Sequence, residues 1–250
     1  MTPPPFSLDG KRALVTGAAN GLGRAIANAL AATGAQVACI DVSVEANRRV
    51  AAATGGIAVA LDVTDAPLVE SAVADLTDRV GTIDILVNSA GIGGRGPAAT
   101  YSHELLERTI AVNLRGTFLM CQSVGRRMIE AGGGSIVNIA SIGGLVAFPG
   151  SVGYQASKGG VVQLTRALAV EWAGAGVRVN AVAPGHIATE LVRRQWETEP
   201  ELREFFLSRT PMNRLGTPED VAGAVVFLAG DAAAMVTGQI IAIDGGYTAQ

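Results

Sequence analysis

Three glycines within residues 16–23 constrain this chain more than any other feature. They lie between the apolar run Ala13, Leu14 and Val15 and a small-residue helical pattern over 24–33. In the order strand, glycine turn and helix, the first glycine permits a sharp turn. The later glycines let backbone approach a pyrophosphate at the helix N-terminus, where free N–H groups favour negative charge. The alternative is an ordinary tight turn with helix-packing glycines.

An acidic residue favours the nucleotide site over the ordinary turn. Asp41 ends the next apolar run, 36–40, at about the spacing from the glycines at which such folds contact the adenosine ribose. A glycine triplet alone is weak support, whereas the glycine turn followed by this carboxylate predicts dinucleotide binding.

Composition and charge exclude several other functions. The 250 residues carry a formal net charge of −3 and only 16% charged residues, which favours neither a nucleic-acid-binding surface nor a polybasic membrane patch. No apolar run reaches transmembrane length, no signal-peptide pattern is present, and the two histidines are too far apart to suggest a metal site. Cys39 and Cys121 lie in apolar patterns, which predicts buried reduced thiols and a cytoplasmic protein.

Apolar runs that alternate with helical patterns predict the fold. The runs are continuous rather than alternating, as expected for parallel strands covered on both faces. We therefore predict an α/β protein with a single-domain Rossmann-type doubly wound parallel sheet of about seven strands, a flexible tail over 1–10 and one catalytic domain over 11–250. The stretches at the predicted strand ends, which should converge on one crevice, are 16–23, 41–42, 62–63, 88–96, 141–153 and 184–196.

One tyrosine–lysine pair indicates the chemistry. The chain has 17 arginines but only two lysines, and Lys158 follows Tyr154 by four residues on a predicted helix, so the two share a face. An aromatic–cation pair on a helix surface is the alternative. If the predicted dinucleotide exchanges hydride with an alcohol, the hydroxyl proton must also be moved, and Tyr154 can accept that proton only if its pKa is lowered. An ammonium at about 4 Å in a partly buried site supplies about 4 kcal/mol, enough to lower the tyrosine pKa by about three units.

From about residue 8 to residue 247 the chain resembles the short-chain dehydrogenase/reductase (SDR) family. Several motifs carry the resemblance in the expected order: Thr16-Gly17-x-x-x-Gly21-x-Gly23, Asp62-Val63, Asn88-Ser89-Ala90-Gly91, Asn113, Ser141, Tyr154-x-x-x-Lys158, Pro184-Gly185-x-Ile187-x-Thr189 and Asp244-Gly245-Gly246.

The resemblance implies a role for each matching residue. Tyr154 would be the acid/base, Ser141 would hold and polarise the substrate oxygen, and Lys158 would also bond the nicotinamide ribose. Asn113 would hold a water that links Lys158 to solvent, although it otherwise looks like a helix interruption. The implied cofactor-binding residues are Gly17, Asn20, Gly21, Leu22, Gly23, Asp41, Asp62, Val63, Asn88, Ala90, Gly91, Tyr154, Lys158, Pro184, Gly185, Ile187 and Thr189.

The cofactor is predicted to be NAD rather than NADP. Asn20 stands where phosphate-binding relatives often carry a basic residue, and no arginine follows Asp41. The Asp41 carboxylate would bond the ribose hydroxyls and repel a 2′-phosphate by about 1–4 kcal/mol at contact range. Ser89 departs from the family, which often has a second asparagine there, but a small polar residue should still fit.

The stretch 186–214 is predicted to be a substrate lid. It mixes charged residues with bulky ones, which a solvated pair of amphipathic helices would also explain. The candidate substrate contacts are Ser141, His186, Trp196 and Arg95, of which Arg95 would meet an anionic group.

Three functions remain open at this point. The first is an NAD-dependent dehydrogenase of a secondary alcohol of the polyol, sugar-acid or hydroxy-acid type. The second is a 3-ketoacyl-thioester reductase, against which Asp41 argues because that activity would favour NADPH. The third is a non-catalytic dinucleotide-binding sensor, against which the intact set of catalytic residues argues. The resemblance also implies a homotetramer, for which Gly159, Gly160 and Ala167 would permit close packing.

Overall fold

Seven parallel strands form one sheet within the residues that the computed structural model describes, which are 6–190, 192–193 and 200–250. The strand order is β3-β2-β1-β4-β5-β6-β7, so the chain moves outward from β1 in one direction and then returns to continue in the other. This is the predicted doubly wound sheet. The strands are β1 Arg12–Thr16, β2 Gln36–Asp41, β3 Ile57–Ala60, β4 Ile85–Asn88, β5 Gly134–Ile139, β6 Val177–Pro184 and β7 Ile240–Ile243.

Helices cover both faces of the sheet. On one face Ile26 and Val225 pack against the sheet, and on the other Val73 and Met120 do so. A π-helical segment, Ala111–Gly116, joins α4 to α5. The helices are α1 Gly21–Ala32, α2 Val44–Thr54, α3 Ala66–Val80, α4 His103–Ile110, α5 Thr117–Ala131, α6 Val152–Trp172, α7 Pro200–Ser208 and α8 Pro218–Ala229.

Several helix ends follow from the side chains that the sequence places there. The Asp65 side chain accepts a hydrogen bond from the Leu68 N–H and so satisfies a free donor of the first turn of α3. Thr217 and Asp220 form a reciprocal capping box at the start of α8. Gly132 ends α5 at φ +83°, a left-handed conformation that glycine adopts without strain.

The prediction of a flexible tail is wrong for its second half. Leu8 is fully buried in the core, and its N–H donates to the Thr33 carbonyl at 2.8 Å. A leucine that buries this much apolar surface anchors the segment to the core rather than leaving it loose. Residues 1–5 lie outside the described residues.

Both cysteines are buried and free, as predicted. Burial raises the pKa of the Cys121 thiol to about 12 and that of Cys39 to about 11, so neither forms a thiolate readily at neutral pH. Within the described part of the chain, no helix combines the length and apolar character needed to span a membrane.

Candidate active site

The glycine turn after β1 is pressed against the loop that follows β4. A Cβ on Gly23 would overlap the Gly17 carbonyl oxygen, and one on Gly17 would lie 2.8 Å from the Ala90 Cα. Gly17 also has φ +66°, which few other residues adopt. Thr16 joins the two segments, because its hydroxyl accepts hydrogen bonds from the Ser89 and Ala90 N–H groups at 3.1 Å.

This turn forms one wall of a cavity of about 880 Å³ at the carboxyl ends of β1 to β4. Its volume lies within the range of small-molecule and cofactor sites. Eleven predicted cofactor residues line it: Gly17, Asn20, Gly21, Leu22, Gly23, Asp41, Asp62, Val63, Ala90, Gly91 and Thr189. Four more lining residues belong to the stretches predicted to converge on the crevice: Val42, Ser89, Ile92 and Glu190. Sequence reasoning missed the rest: Ile40, Ser43, Leu61, Thr64, Arg108, Ala111 and Val112.

Asp41 is held in the wall of this cavity by two backbone donors. Its Oδ2 accepts from the Ala19 N–H at 3.1 Å, and its Oδ1 accepts from the Ser43 N–H at 2.8 Å. Because the carboxylate is fixed beside the glycine turn, its negative charge acts on whatever occupies this end of the cavity.

The remaining predicted cofactor residues lie outside the cavity lining. The Asn88 amide donates to Asn138 Oδ1 at 2.9 Å and to Cys121 Sγ at 3.2 Å, so it links β4 to β5 and α5. Ile187 is buried in the core, and a Cβ on Gly185 would lie 2.8 Å from Asp244 Cβ. The others are Pro184, which ends β6, and Tyr154 and Lys158, which lie on α6.

Tyr154, Ser141 and Lys158 come together where β5 ends. Ser141 follows β5 and hydrogen-bonds the Tyr154 phenol, and its Oγ accepts from the Gly143 N–H at 3.1 Å. Lys158 Nζ lies 5.8 Å from the centre of the Tyr154 ring. The predicted catalytic side chains are therefore neighbours in the folded protein.

The expected lowering of the tyrosine pKa is wrong for the polypeptide alone. Burial raises the pKa of Tyr154, and the hydrogen bond from Ser141 offsets only part of this. Burial also lowers the pKa of Lys158 to about 8, and its ammonium donates to the Ile139 carbonyl at 2.6 Å. Desolvation disfavours both the phenolate and the ammonium, whereas the spacing of the two residues in the sequence indicates only the attraction between them.

Asn113 lies in the π-helical segment, at the helix interruption that the sequence indicated. Its Nδ2 donates to the Ile92 carbonyl at 2.9 Å and to Ser157 Oγ at 3.0 Å, and its Oδ1 accepts from the Ile92 N–H at 2.8 Å. The side chain thus ties the loop after β4 to α6. A Cβ on Gly91 would lie 3.3 Å from Asn113 Oδ1 and 3.6 Å from Lys158 Nζ, so these groups border one point. The linking water stays a prediction.

The substrate candidates are brought together only in part. His186 stacks on Phe206 of α7, with ring centres 3.8 Å apart, and meets the edge of Tyr247 at 5.2 Å. Burial and, to a smaller extent, the nearby charge of Arg95 lower the pKa of His186 to about 4. Arg95 itself is exposed, and Trp196 lies outside the described residues. No sequence signal had paired Arg95 with His186.

Known proteins resemble this chain over nearly its whole length. The family profile described as enoyl-(acyl carrier protein) reductase matches residues 17–248. D-threitol dehydrogenase of Mycolicibacterium smegmatis is 48% identical over 248 residues, which covers 97% of this chain and 95% of that protein. Galactitol 2-dehydrogenase (L-tagatose-forming) of Cereibacter sphaeroides is 46% identical over 250 residues, which covers 97% of each.

A solved structure gives the same result for the fold. The gluconate 5-dehydrogenase from Burkholderia cenocepacia J2315, in complex with NADP and tartrate, superposes with a TM-score of 0.93 at 37% identity and covers 98% of both chains. The chain belongs to the short-chain dehydrogenase/reductase family of NAD(P)-dependent oxidoreductases that act on CH–OH groups.

Proposed function

We propose that this protein is an NAD-dependent dehydrogenase that interconverts a polyol, or a related hydroxylated acid, and its ketone. The observation that carries the proposal is the cluster of Ser141, Tyr154 and Lys158 beside a dinucleotide-sized cavity. The cavity fits the cofactor for two reasons. The glycine turn presents backbone without side chains to a pyrophosphate, and the fixed Asp41 carboxylate is available to ribose hydroxyls.

The residues of the chain divide the chemistry among them. A nicotinamide dinucleotide in the cavity would supply hydride exchange. Ser141 positions the substrate oxygen, and Tyr154 Oη accepts the hydroxyl proton as the alcohol is oxidised and returns it in the reverse direction. Lys158 favours the phenolate form of Tyr154 as the nearby cation. Its distance to the phenol sets how much of the desolvation of Tyr154 it offsets.

The preference for NAD is supported by the position of Asp41. The carboxylate would accept hydrogen bonds from ribose hydroxyls and repel a 2′-phosphate. The gluconate 5-dehydrogenase neighbour was solved with NADP, so family membership alone does not decide the cofactor. The test compares kcat/KM for NAD and NADP with one saturating alcohol. A higher kcat/KM with NADP would overturn the preference.

The polyol class is supported by the two relatives named for threitol and galactitol. The experiment follows nicotinamide absorbance with D-threitol, galactitol, gluconate and a ketoacyl thioester. Turnover of the thioester with NADPH, and of none of the hydroxylated compounds, would favour the reductase alternative instead.

We also propose a homotetramer, supported by exposed apolar side chains on α5 and α6. Phe118 is 40% exposed and Val170 85% exposed, and Gly159 has no atom near the place a Cβ would take. Gly160 does not contribute to this packing, because Leu114 of the same chain already occupies the space beside it: a Cβ on Gly160 would lie 2.7 Å from Leu114 Cδ2. Light scattering that gave the mass of a monomer would contradict the proposal.

A cytoplasmic location belongs to the same proposal. Free buried thiols at Cys39 and Cys121 fit a reducing compartment. Fractionation of the native host, followed by immunodetection, tests the location directly.

A further inference from the structure

Two buried polar atoms around the loop 91–97 have no hydrogen-bond partner in the protein. Among the described residues, four side-chain atoms are of this kind: Asn47 Oδ1, Asn88 Oδ1, Tyr101 Oη and His186 Nε2. The two asparagines already donate two hydrogen bonds each from their nitrogens. An unpaired buried polar group lowers the free energy of unfolding by about 1–3 kcal/mol, so the unpaired atoms of Tyr101 and His186 call for a functional explanation.

Tyr101 places its hydroxyl between two glycines that border the candidate active site. A Cβ on Gly94 would lie 2.7 Å from Tyr101 Oη, and a Cβ on Gly153 would lie 3.1 Å from it. Gly94 belongs to the loop after β4, and Gly153 immediately precedes Tyr154. The phenol therefore lies against bare backbone, next to the residue that exchanges the proton.

His186 lies close enough to the same loop to be affected by the charge of Arg95. It follows the end of β6 and lines a cavity of about 340 Å³ together with Thr210 and Gly245. Phe206 covers one face of its ring, and Tyr247 meets it edge-on. Arg95 of the loop acts on it electrostatically. Stacking holds the ring in place without satisfying Nε2.

The two unpaired atoms share one chemical property. Desolvation and the charge of Arg95 keep the imidazole neutral at physiological pH, and a neutral ring nitrogen either donates or accepts a hydrogen bond according to its tautomer. A phenol hydroxyl does both. A substrate hydroxyl also does both, whereas a carboxylate only accepts and an ammonium only donates. A hydroxyl group therefore pairs with both atoms in either imidazole tautomer, whereas a carboxylate requires the tautomer with a proton on Nε2 and an ammonium requires the other one.

We propose that Tyr101 Oη and His186 Nε2 are specificity-determining groups that bind substrate hydroxyls other than the one that is oxidised. The inference rests on the proposed function and deepens it, because it requires a substrate with hydroxyl groups beyond the one that is oxidised. Simple secondary alcohols leave both atoms unpaired and are turned over poorly for that reason.

The experiment measures the ratio of kcat/KM for D-threitol to kcat/KM for butan-2-ol, which has the same chain length and one hydroxyl. The variants are Tyr101→Phe, His186→Phe and His186→Gln, and the control is His103→Phe, which removes an exposed histidine at the start of α4. We expect the ratio to fall about tenfold or more in Tyr101→Phe and in His186→Phe. The His186→Gln variant should recover part of the loss, and the control should stay within about twofold.

The possible results separate this inference from the proposed function. An equal fall of both rates, with the ratio unchanged, assigns the two residues a structural role and overturns the inference. If the wild-type protein oxidises butan-2-ol with the same kcat/KM as D-threitol, the inference is overturned, while the proposed reaction class stands. If no alcohol is oxidised with either cofactor although NADH binds, the proposed function itself fails. Thermal melting of each variant identifies one that has not folded.

Discussion

The two ends of the crevice are held together in different ways. At the cofactor end, backbone meets backbone, since Gly17 and Gly23 leave no room for a Cβ and Thr16 bonds two N–H groups of the next loop. At the substrate end, side chains from distant segments meet, as His186 does with Phe206, and two polar atoms stay unpaired. The first end is built to hold one fixed shape, and the second leaves hydrogen-bonding capacity for a ligand.

The largest expected effect tests whether catalysis can be abolished without weakening the binding of the cofactor. Tyr154→Phe deletes the oxygen that we propose exchanges the proton, so we expect kcat to fall by about 10²- to 10⁴-fold. The dissociation constant for NADH should change by less than about threefold, because the cavity wall is built from other residues. Single-turnover kinetics and fluorescence titration measure the two quantities. Full activity in this variant would require another proton acceptor.

The next effect tests the claim that the cofactor end depends on bare backbone. A methyl group at Gly23 would overlap the Gly17 carbonyl oxygen, and relieving such a contact costs about 1–3 kcal/mol. Gly23→Ala should therefore weaken NADH binding by about tenfold to a hundredfold. The matched control is Gly93→Ala, because no atom lies near the Cβ position of Gly93. Equal losses in both variants would contradict the steric argument.

A smaller effect is expected from Asp41, a carboxylate in the cavity wall that two N–H groups fix in place. Asp41→Asn keeps the shape of the side chain and removes its charge, so repulsion of a 2′-phosphate, about 1–4 kcal/mol, should disappear. The ratio of kcat/KM for NAD to that for NADP should fall by about tenfold or more. Asp62→Asn, at another lining position, is the control. An unchanged ratio for Asp41→Asn would show that the charge does not select the cofactor.

The smallest effect concerns stability. Lys158 is buried with a pKa lowered to about 8, so the unfolded chain binds more protons between pH 8 and its ordinary pKa near 10.4. The charged lysine thus destabilises the fold below pH 8, and this penalty disappears as the pH rises through that window. Lys158→Met should raise the free energy of unfolding by about 1–3 kcal/mol at pH 7 and by less at pH 10, while activity falls.

Urea denaturation at the two pH values measures this difference. A variant that is less stable than wild type at pH 7 would mean that the hydrogen bond to the Ile139 carbonyl outweighs the desolvation of the ammonium.

The parts of the molecule set by local rules could be predicted from the sequence. The caps at Asp65 and Thr217 act within four residues, and the parallel sheet follows from continuous apolar runs between helices. The glycine turn and Asp41 were also found, because each occupies a strand end where the fold brings such segments together.

The rest depends on burial and on distant contacts, which no local pattern records. The pKa of Tyr154 is raised because folding removes water from the phenol. The spacing between Tyr154 and Lys158 in the sequence does not indicate how far the phenol is buried. The local sequence around Leu8 is typical of a tail, and only the folded structure shows that the core buries this side chain. Tyr101 gives no signal of its own, since only the fold places its hydroxyl beside Gly153.

The π-helical segment between α4 and α5 has a consequence for how this protein can change. A π turn holds one residue more than an α turn, and one residue corresponds to about 100° of rotation around a helix. Removing a residue from Ala111–Gly116 would swing the Asn113 amide away from Ile92 and Ser157, which it now joins. Chain length is therefore fixed at this junction, and insertions and deletions are better tolerated in the surface loops elsewhere.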